Sequence, residues 1–296
     1  MKPDLCIGTA QFGQSYGVTN PEGKVAEDEV KQILSIAMNK GIGWLDTAHS
    51  YGNAEQVIGR QLPKENCFRF VGKFPSQKCL EFRKEDVESW ENSFLDSCRA
   101  LGICQFDTYL LHSSEDLIKP NCKYLEDWLL SLRDRGLVRR LGMSIYDSSE
   151  IASFESDLLD VVQLPLSLLD QRLIEDGTMS KLKDNGVAIH LRSIYMQGLL
   201  LAPPEQWPEW IGAEARAHHR RLVELSTEKN CGLIDLALGF IKQLTDVEAV
   251  VVGVCKSSQL VELLNSWDRV SPWQECEWKA WSLKDERVLD PRKWPI

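Results

Sequence analysis

Short apolar runs alternate along this chain with longer segments whose apolar residues recur every three or four positions. The first pattern is that of buried strands and the second that of amphipathic helices. Leu5-Cys6-Ile7-Gly8 opens the series as a strand. In residues 27–40, Val30, Ile33, Leu34, Ala37 and Met38 share one helical face, and Gly41 stops the helix. The same alternation predicts further strands at 42–46, 68–73, 106–111, 138–144, 160–164, 187–193 and 247–252. Helices are predicted at 54–61, 84–101, 124–135, 148–154, 178–185, 212–229, 233–243 and 258–267. Residues 199–208 carry Pro203, Pro204 and Pro208 and read as a loop. A Trp- and Pro-rich tail follows from 271, with a short helix expected around 275–283.

Strict strand–helix alternation needs a parallel sheet with crossovers, because parallel neighbours cannot be joined by a tight turn. Eight such units predict an α/β fold, a closed (β/α)8 TIM barrel. Such barrels form single domains of about 250 residues, and 1–296 is accordingly read as one domain. The tail (about 271–296) is a candidate wall folding over the site.

Composition narrows the function. The chain is 43% hydrophobic and 26% charged, an ordinary globular balance, with a net charge of −10. That charge disfavours nucleic acid and anionic membrane as partners. No apolar run is long enough for a membrane span. The nine cysteines form no CxxC pair and no metal-ligand spacing with the five histidines. Met1 runs almost directly into the first strand, so no secretory leader is expected. Reduced thiols in a cytoplasmic protein, with no metal, are the prediction.

Barrel active sites sit at the C-terminal strand ends. The polar residues placed there are Gly8-Thr9, Asp46 with Tyr51, Lys73, His112, Ser144, Gln163, Arg192-Ser193, and Gly253 with Lys256-Ser257. Singly, each has a plain reading: a strand-end salt bridge for Asp46, a solvated charge for Lys73, a core or capping group for His112, packing for Tyr51. Together they suit carbonyl chemistry. A free Tyr, pKa about 10, is a poor acid at neutral pH. A neighbouring ammonium, Lys73 held by Asp46, favours the phenolate and lowers that pKa. Tyr51 can then protonate a carbonyl oxygen as hydride reaches its carbon, while neutral His112 orients the same oxygen.

Four separated motifs, Gly8-Thr9-Ala10-Gln11-Phe12-Gly13, Trp44-Leu45-Asp46-Thr47-Ala48-His49-Ser50-Tyr51-Gly52, Val71-Gly72-Lys73 and Leu110-Leu111-His112, resemble the aldo-keto reductase superfamily in order and spacing. The resemblance spans nearly the whole chain. It implies a nicotinamide cofactor lying extended along the C-terminal rim, a small-molecule carbonyl substrate, and Tyr51 as acid/base supported by Asp46, Lys73 and His112. By matching position, Gln163 and Ser144 hold the nicotinamide amide. Arg192-Ser193 and Gln197-Gly198-Leu199-Leu200 line the nicotinamide and pyrophosphate, Arg192 standing where a ring usually stacks. Gly253, Ser257, Gln259 and Glu262 match the adenosine end. Lys256 lies one place from the usual basic residue, where it would meet a 2′-phosphate, which favours NADP(H) over NAD(H).

Departures are Ile145 and Leu263 where Asn is usual, Cys255 where a basic residue or Ser is usual, and the missing N-terminal hairpin. Asp170-Gln171-Arg172 with His190-Leu191-Arg192-Ser193 looks like a bacterial branch associated with surface-polysaccharide sugars. The expected activity is NAD(P)H-dependent reduction of an aldehyde or ketone to an alcohol. The alternatives are a nicotinamide-binding sensor without turnover and a sugar isomerase or epimerase with a retained cofactor. No oligomeric state is assigned.

Overall fold

Strand β1 (Asp4–Gly8) pairs in parallel with β2 (Trp44–Asp46) on one side and β8 (Ala249–Gly253) on the other, which closes the sheet. Between them run β3 (Arg69–Phe74), β4 (Phe106–Leu111), β5 (Val138–Ser144), β6 (Val161–Pro165) and β7 (Ala188–Arg192). Their order around the closed barrel is β1-β2-β3-β4-β5-β6-β7-β8. The computed structural model describes residues 2–63, 65–151 and 158–295. Crossover helices include Glu27–Asn39, Ala54–Gln61, Asp86–Leu101, Lys123–Asp134, Thr178–Asp184, Ala213–Glu228, Leu233–Lys242 and Ser257–Arg269. Among the described residues no helix is long and apolar enough to cross a membrane.

The (β/α)8 barrel is therefore the observed architecture, with shifts at its edges. The strand placed at 42–46 begins at Trp44, and the one placed at 247–252 runs Ala249–Gly253. The helix placed at 148–154 appears as a 3-10 turn at Ser148–Ile151, and residues 152–157 lie outside the described set. Single-turn helices at Ala10–Gly13, Arg172–Glu175 and Glu286–Leu289 are too short to leave a periodic trace. The proline-bearing stretch contains 3-10 turns at Met196–Leu201 and Pro204–Gln206.

The barrel interior is filled by Cys6, Trp44, Val71, Leu110, Val161 and Ala249, all fully buried. A second, larger core lies between the sheet and the helices, with Phe12, Phe94, Phe106 and Phe240 inside it. Gly142 is required where β5 meets β6, because a Cβ there would sit 1.8 Å from the Val161 carbonyl oxygen.

At the N-terminal floor a polar network surrounds Trp44. The Arg69 guanidinium lies 3.8 Å from the Trp44 ring centroid, and the Trp44 indole donates to Asp4 at 3.3 Å. Arg140 bridges Glu248 at 2.8 Å and Asp107 at 2.9 Å, and buried His190 meets Glu248 at 2.7 Å. Burial works to raise the Glu248 pKa, but the His190 hydrogen bond and the Arg140 charge hold it down at about 2. This network occupies the end of the barrel opposite the strand C-termini, so it leaves the other rim for chemistry.

Candidate active site

Asp46 closes β2 and Lys73 lies on β3, and the parallel register brings their strands together at Asp46↔Val71. Both are buried, at 3% and 2% exposure. Lys73 Nζ donates to Asp46 Oδ1 and, at 3.4 Å, to the Thr47 carbonyl. Gln163 on β6 donates its amide to Asp46 Oδ2 at 2.7 Å. A buried ion pair offsets its desolvation only when its remaining lone pairs and protons are also engaged, and here both carboxylate oxygens are bonded. Gln163 thus commits a hydrogen to Asp46, while its carbonyl oxygen has no protein partner among the described residues.

Tyr51 sits on the loop leaving β2. Two glycines set its backbone. A Cβ at Gly13 would fall 1.8 Å from the Tyr51 carbonyl oxygen, and Gly52, at φ +58°, would place a Cβ 2.4 Å from the Gly13 carbonyl oxygen. We expect Gly13→Ala to displace this loop and lower turnover by about 10²-fold, the usual penalty for roughly 1 Å of misplacement. Steady-state kinetics beside a melting curve would check it, and unchanged kinetics would refute the role given to this contact.

Lys73 Nζ lies 5.3 Å from the Tyr51 ring centroid. The His112 ring meets the Tyr51 ring edge-on, with centroids 6.0 Å apart at 83°. Burial, and then the Asp46 charge, raise the Tyr51 pKa, while Arg192 works to lower it. This corrects the sequence argument, in which Lys73 lowers that pKa. Burial and the Asp46 carboxylate dominate at the phenol. His112 goes the other way: burial, then Lys73 and Arg192, push its pKa down to about 4. It is neutral at physiological pH. Ser50 Oγ lies 3.3 Å from His112 Nδ1.

Arg192, at the end of β7, donates to Ser144 Oγ at 3.2 Å, Ser193 Oγ at 3.3 Å and the Ile145 carbonyl at 2.9 Å. Ile145, lacking the usual amide side chain, contributes its backbone oxygen instead. The Arg192 guanidinium lies over the Tyr146 ring at 4.1 Å from its centroid, and that of Arg292 at 4.3 Å. Arg292 belongs to the tail and is ion-paired with Asp147 at 3.0 Å, Glu150 at 2.9 Å and Asp290 at 2.8 Å. Leu283 N donates to the Leu169 carbonyl at 2.8 Å. Tail residues therefore lie against the loops after β5 and β6.

A cavity of about 650 Å³ reaches Asp46, Tyr51, Gln163 and Arg192, while Lys73 and His112 stand outside its lining. Of the expected cofactor residues, Gly8, Thr9, Gln163, Arg192, Ser193, Gln197, Gly198, Gly253, Lys256, Gln259 and Glu262 line it, together with Asp46 and Tyr51. Three do not. Leu200 is fully buried core, Ser144 stands behind Arg192, and Ser257 opens the Ser257–Arg269 helix outside the lining. Gln11, which follows β1 in the first motif, also lines the cavity, and Tyr16, Thr19 and Glu22 line it and were missed. These three belong to an irregular segment between the Ala10–Gly13 turn and the Glu27–Asn39 helix, whose only sequence signal is its length. Thr19 Oγ1 donates to the Gln197 carbonyl at 3.0 Å, and a Cβ at Gly198 (φ +95°) would lie 1.8 Å from that hydroxyl oxygen. The loops after β1 and β7 thus bridge the cavity.

At the far end, Lys256 pairs with Glu22 at 2.6 Å. Gln259 Oε1 accepts from Cys255 N at 2.8 Å and Lys256 N at 3.2 Å. The cavity, lined by both polar and apolar groups from Tyr51 to Lys256, has room for a dinucleotide. A Cβ at Gly253 would lie 2.7 Å from Gln11 Nε2 and narrow it. A larger groove, about 900 Å³, is bordered by Lys229, Cys231, Asp235, Arg269 and Trp273 in the helical layer, and none of the strand-end residues lines it.

The sequence model of the aldo/keto reductase family matches residues 4–283. The chain belongs to this family. It is 24% identical over 294 residues to the D-arabinose 1-dehydrogenase of Saccharomyces cerevisiae, covering 90% of this chain and 83% of that one. An aldo-keto reductase of Mycolicibacterium paratuberculosis is 28% identical over 137 residues, a match spanning 44% of each protein. Among solved structures, a glycerol dehydrogenase from Gluconobacter oxydans superposes with a TM-score of 0.70 at 20% identity, covering 99% of this chain and 93% of that one. The holo form of an aldo-keto reductase from Bacillus halodurans gives 0.70 at 19% identity, covering 96% and 91%. These two share the barrel. Aldo-keto reductases are oxidoreductases of small carbonyl compounds, and nicotinamide cofactors are general to them.

Proposed function

We propose that this chain reduces an aldehyde or ketone to an alcohol with a nicotinamide cofactor. The observation that carries the reading is the convergence of Tyr51 and neutral His112 above the buried Lys73–Asp46 pair, at one end of a dinucleotide-sized cavity. The dihydronicotinamide, when bound, supplies hydride. Gln163 and Ser193 would hold it, and Gln197 and Gly253 would hold the rest of the dinucleotide. The chain's own work is the proton and the orientation. Tyr51, kept as a phenol by burial and Asp46, donates its O–H to the carbonyl oxygen as negative charge builds there. If Ser50 donates to His112 Nδ1, the ring hydrogen lies on Nε2, where it can bond the same oxygen. Arg292, anchored on Asp147 and Glu150, holds the tail against the loop after β5, outside the lining of the cavity.

The test is loss of NADH or NADPH absorbance with 4-nitrobenzaldehyde and with aldoses, the latter suggested by the relative named for D-arabinose. A chain that binds nucleotide yet turns over no carbonyl in a broad panel would be a sensor instead. Nicotinamide co-purifying with the protein, with no net consumption, would indicate an isomerase.

A pH prediction follows from His112. Its folded pKa is depressed to about 4, so the unfolded chain binds its proton more readily. Its stabilising contribution is complete above the ordinary His value of about 6.5 and is lost as pH falls from there towards 4. The rate at saturating substrate should hold through pH 5 and fall as pH drops through about 4, where the imidazolium forms. A pH–rate profile in which His112→Gln removes that acid limb would bear this out; a limb retained in the variant would assign it elsewhere.

A further inference from the structure

The geometry points to NAD(H) as the nucleotide this groove takes, with Glu22 and Glu29 as the groups that exclude a 2′-phosphate. The inference rests on reading the groove as a nicotinamide dinucleotide site. Hydride chemistry beside Tyr51 fixes where the nicotinamide lies. An extended dinucleotide then carries its adenosine half to the far end of the lining, at Lys256, Gln259 and Glu262.

A phosphate at that end would need cations and free N–H groups, and the Lys256 ammonium and the N–H groups of Cys255, Lys256 and Ser257 are already engaged. Lys256 and Arg192 are the cations among the described lining residues, and Arg192 belongs to the Tyr51 end. Lys256 Nζ is held 2.6 Å from Glu22. The N-terminus of the 13-residue Ser257–Arg269 helix would ordinarily suit an anion. Here the Ser257 N–H donates to the Glu29 carboxylate, which reaches across from the Glu27–Asn39 helix. That bond holds the Glu29 carboxyl below the ordinary carboxylate range, so it is ionised at neutral pH. The Gln259 side chain caps the N–H groups of Cys255 and Lys256. The end of the groove therefore presents Glu22 and Glu262, with Glu29 just outside its lining on Ser257, against the single ammonium of Lys256.

A phosphate monoester carries close to two negative charges at neutral pH. It would have to displace Glu22 from Lys256 and lie close to these carboxylates. Ribose hydroxyls face no such opposition, because carboxylates accept hydrogen bonds from them, as an acidic residue does for the 2′-hydroxyl in other dinucleotide sites. The sequence favoured NADP(H) because Lys256 looked available. The structure shows it paired. Lys256 and Glu22 are 49% and 61% exposed, so solvent screens the effect and an intermediate discrimination is expected.

The experiment is titration of the full-length protein with NADH and with NADPH, read by quenching of its tryptophan fluorescence. NADH should bind about tenfold more tightly than NADPH, or better. In Glu22→Gln combined with Glu29→Gln, NADPH should tighten and NADH weaken, bringing the two within about threefold of each other. Glu22→Gln alone, in an exposed loop, should move the ratio the same way and serves if the double variant melts early. Equal or tighter NADPH binding in the unmodified protein, or a ratio unmoved by these variants, overturns the inference while leaving the groove a dinucleotide site. Binding of neither nucleotide overturns the reading of the groove itself.

Discussion

Tyr51→Phe should lower turnover by about 10²–10⁴-fold while nucleotide binding stays within about twofold. In the proposed reading the phenol is the proton source beside the reacting carbonyl, and phenylalanine keeps the ring while removing only the hydroxyl. The ring's edge contact with His112, at 6.0 Å between centroids, should persist, so the loop keeps its place. What remains is hydride transfer onto a carbonyl polarised by His112 alone. Fluorescence titration separates the two effects. Turnover kept near the unmodified rate would sink the assignment of Tyr51, and lost nucleotide binding would mean that the loop had moved instead.

The second large effect is on stability. Asp46→Ala leaves the Lys73 ammonium 1% exposed with the Thr47 carbonyl, at 3.4 Å, as its remaining partner. It also strips the Gln163 amide of its acceptor. Removing one member of a buried pair typically costs about 3–5 kcal/mol, because the other charge stays desolvated and uncompensated. The variant should unfold at a clearly lower denaturant midpoint. Asp46→Ala combined with Lys73→Met removes both charges and should recover most of that loss, while activity stays low. Equal destabilisation in the single and double variants would show that packing, not the stranded charge, is responsible.

Much of this molecule was legible from residue order. Strand and helix periodicities placed the eight strands and most of the helices between them, because a residue's burial on a strand or helix repeats with the local geometry. Asp46, Lys73 and His112 were legible as a group because each follows an apolar run at a strand's C-terminal end, and a parallel barrel gathers those ends on one rim. Tyr51 came with them through the loop that follows Asp46.

Tertiary structure alone decided the electrostatics. The sign of the Tyr51 shift depends on burial of the phenol and on the nearby Asp46 carboxylate. Gln163 meets Asp46 across 117 residues of sequence, and Ser257 meets Glu29 across 228. Tyr16 and Glu22 reach the groove on a segment without periodicity, and Arg292 reaches Tyr146 from a tail whose helices are single turns. Local pattern carries the information that builds strands and helices. Which charges meet one another depends on distances in space that closure of the barrel sets, so the pairing of Lys256 with Glu22 appears only in the folded chain.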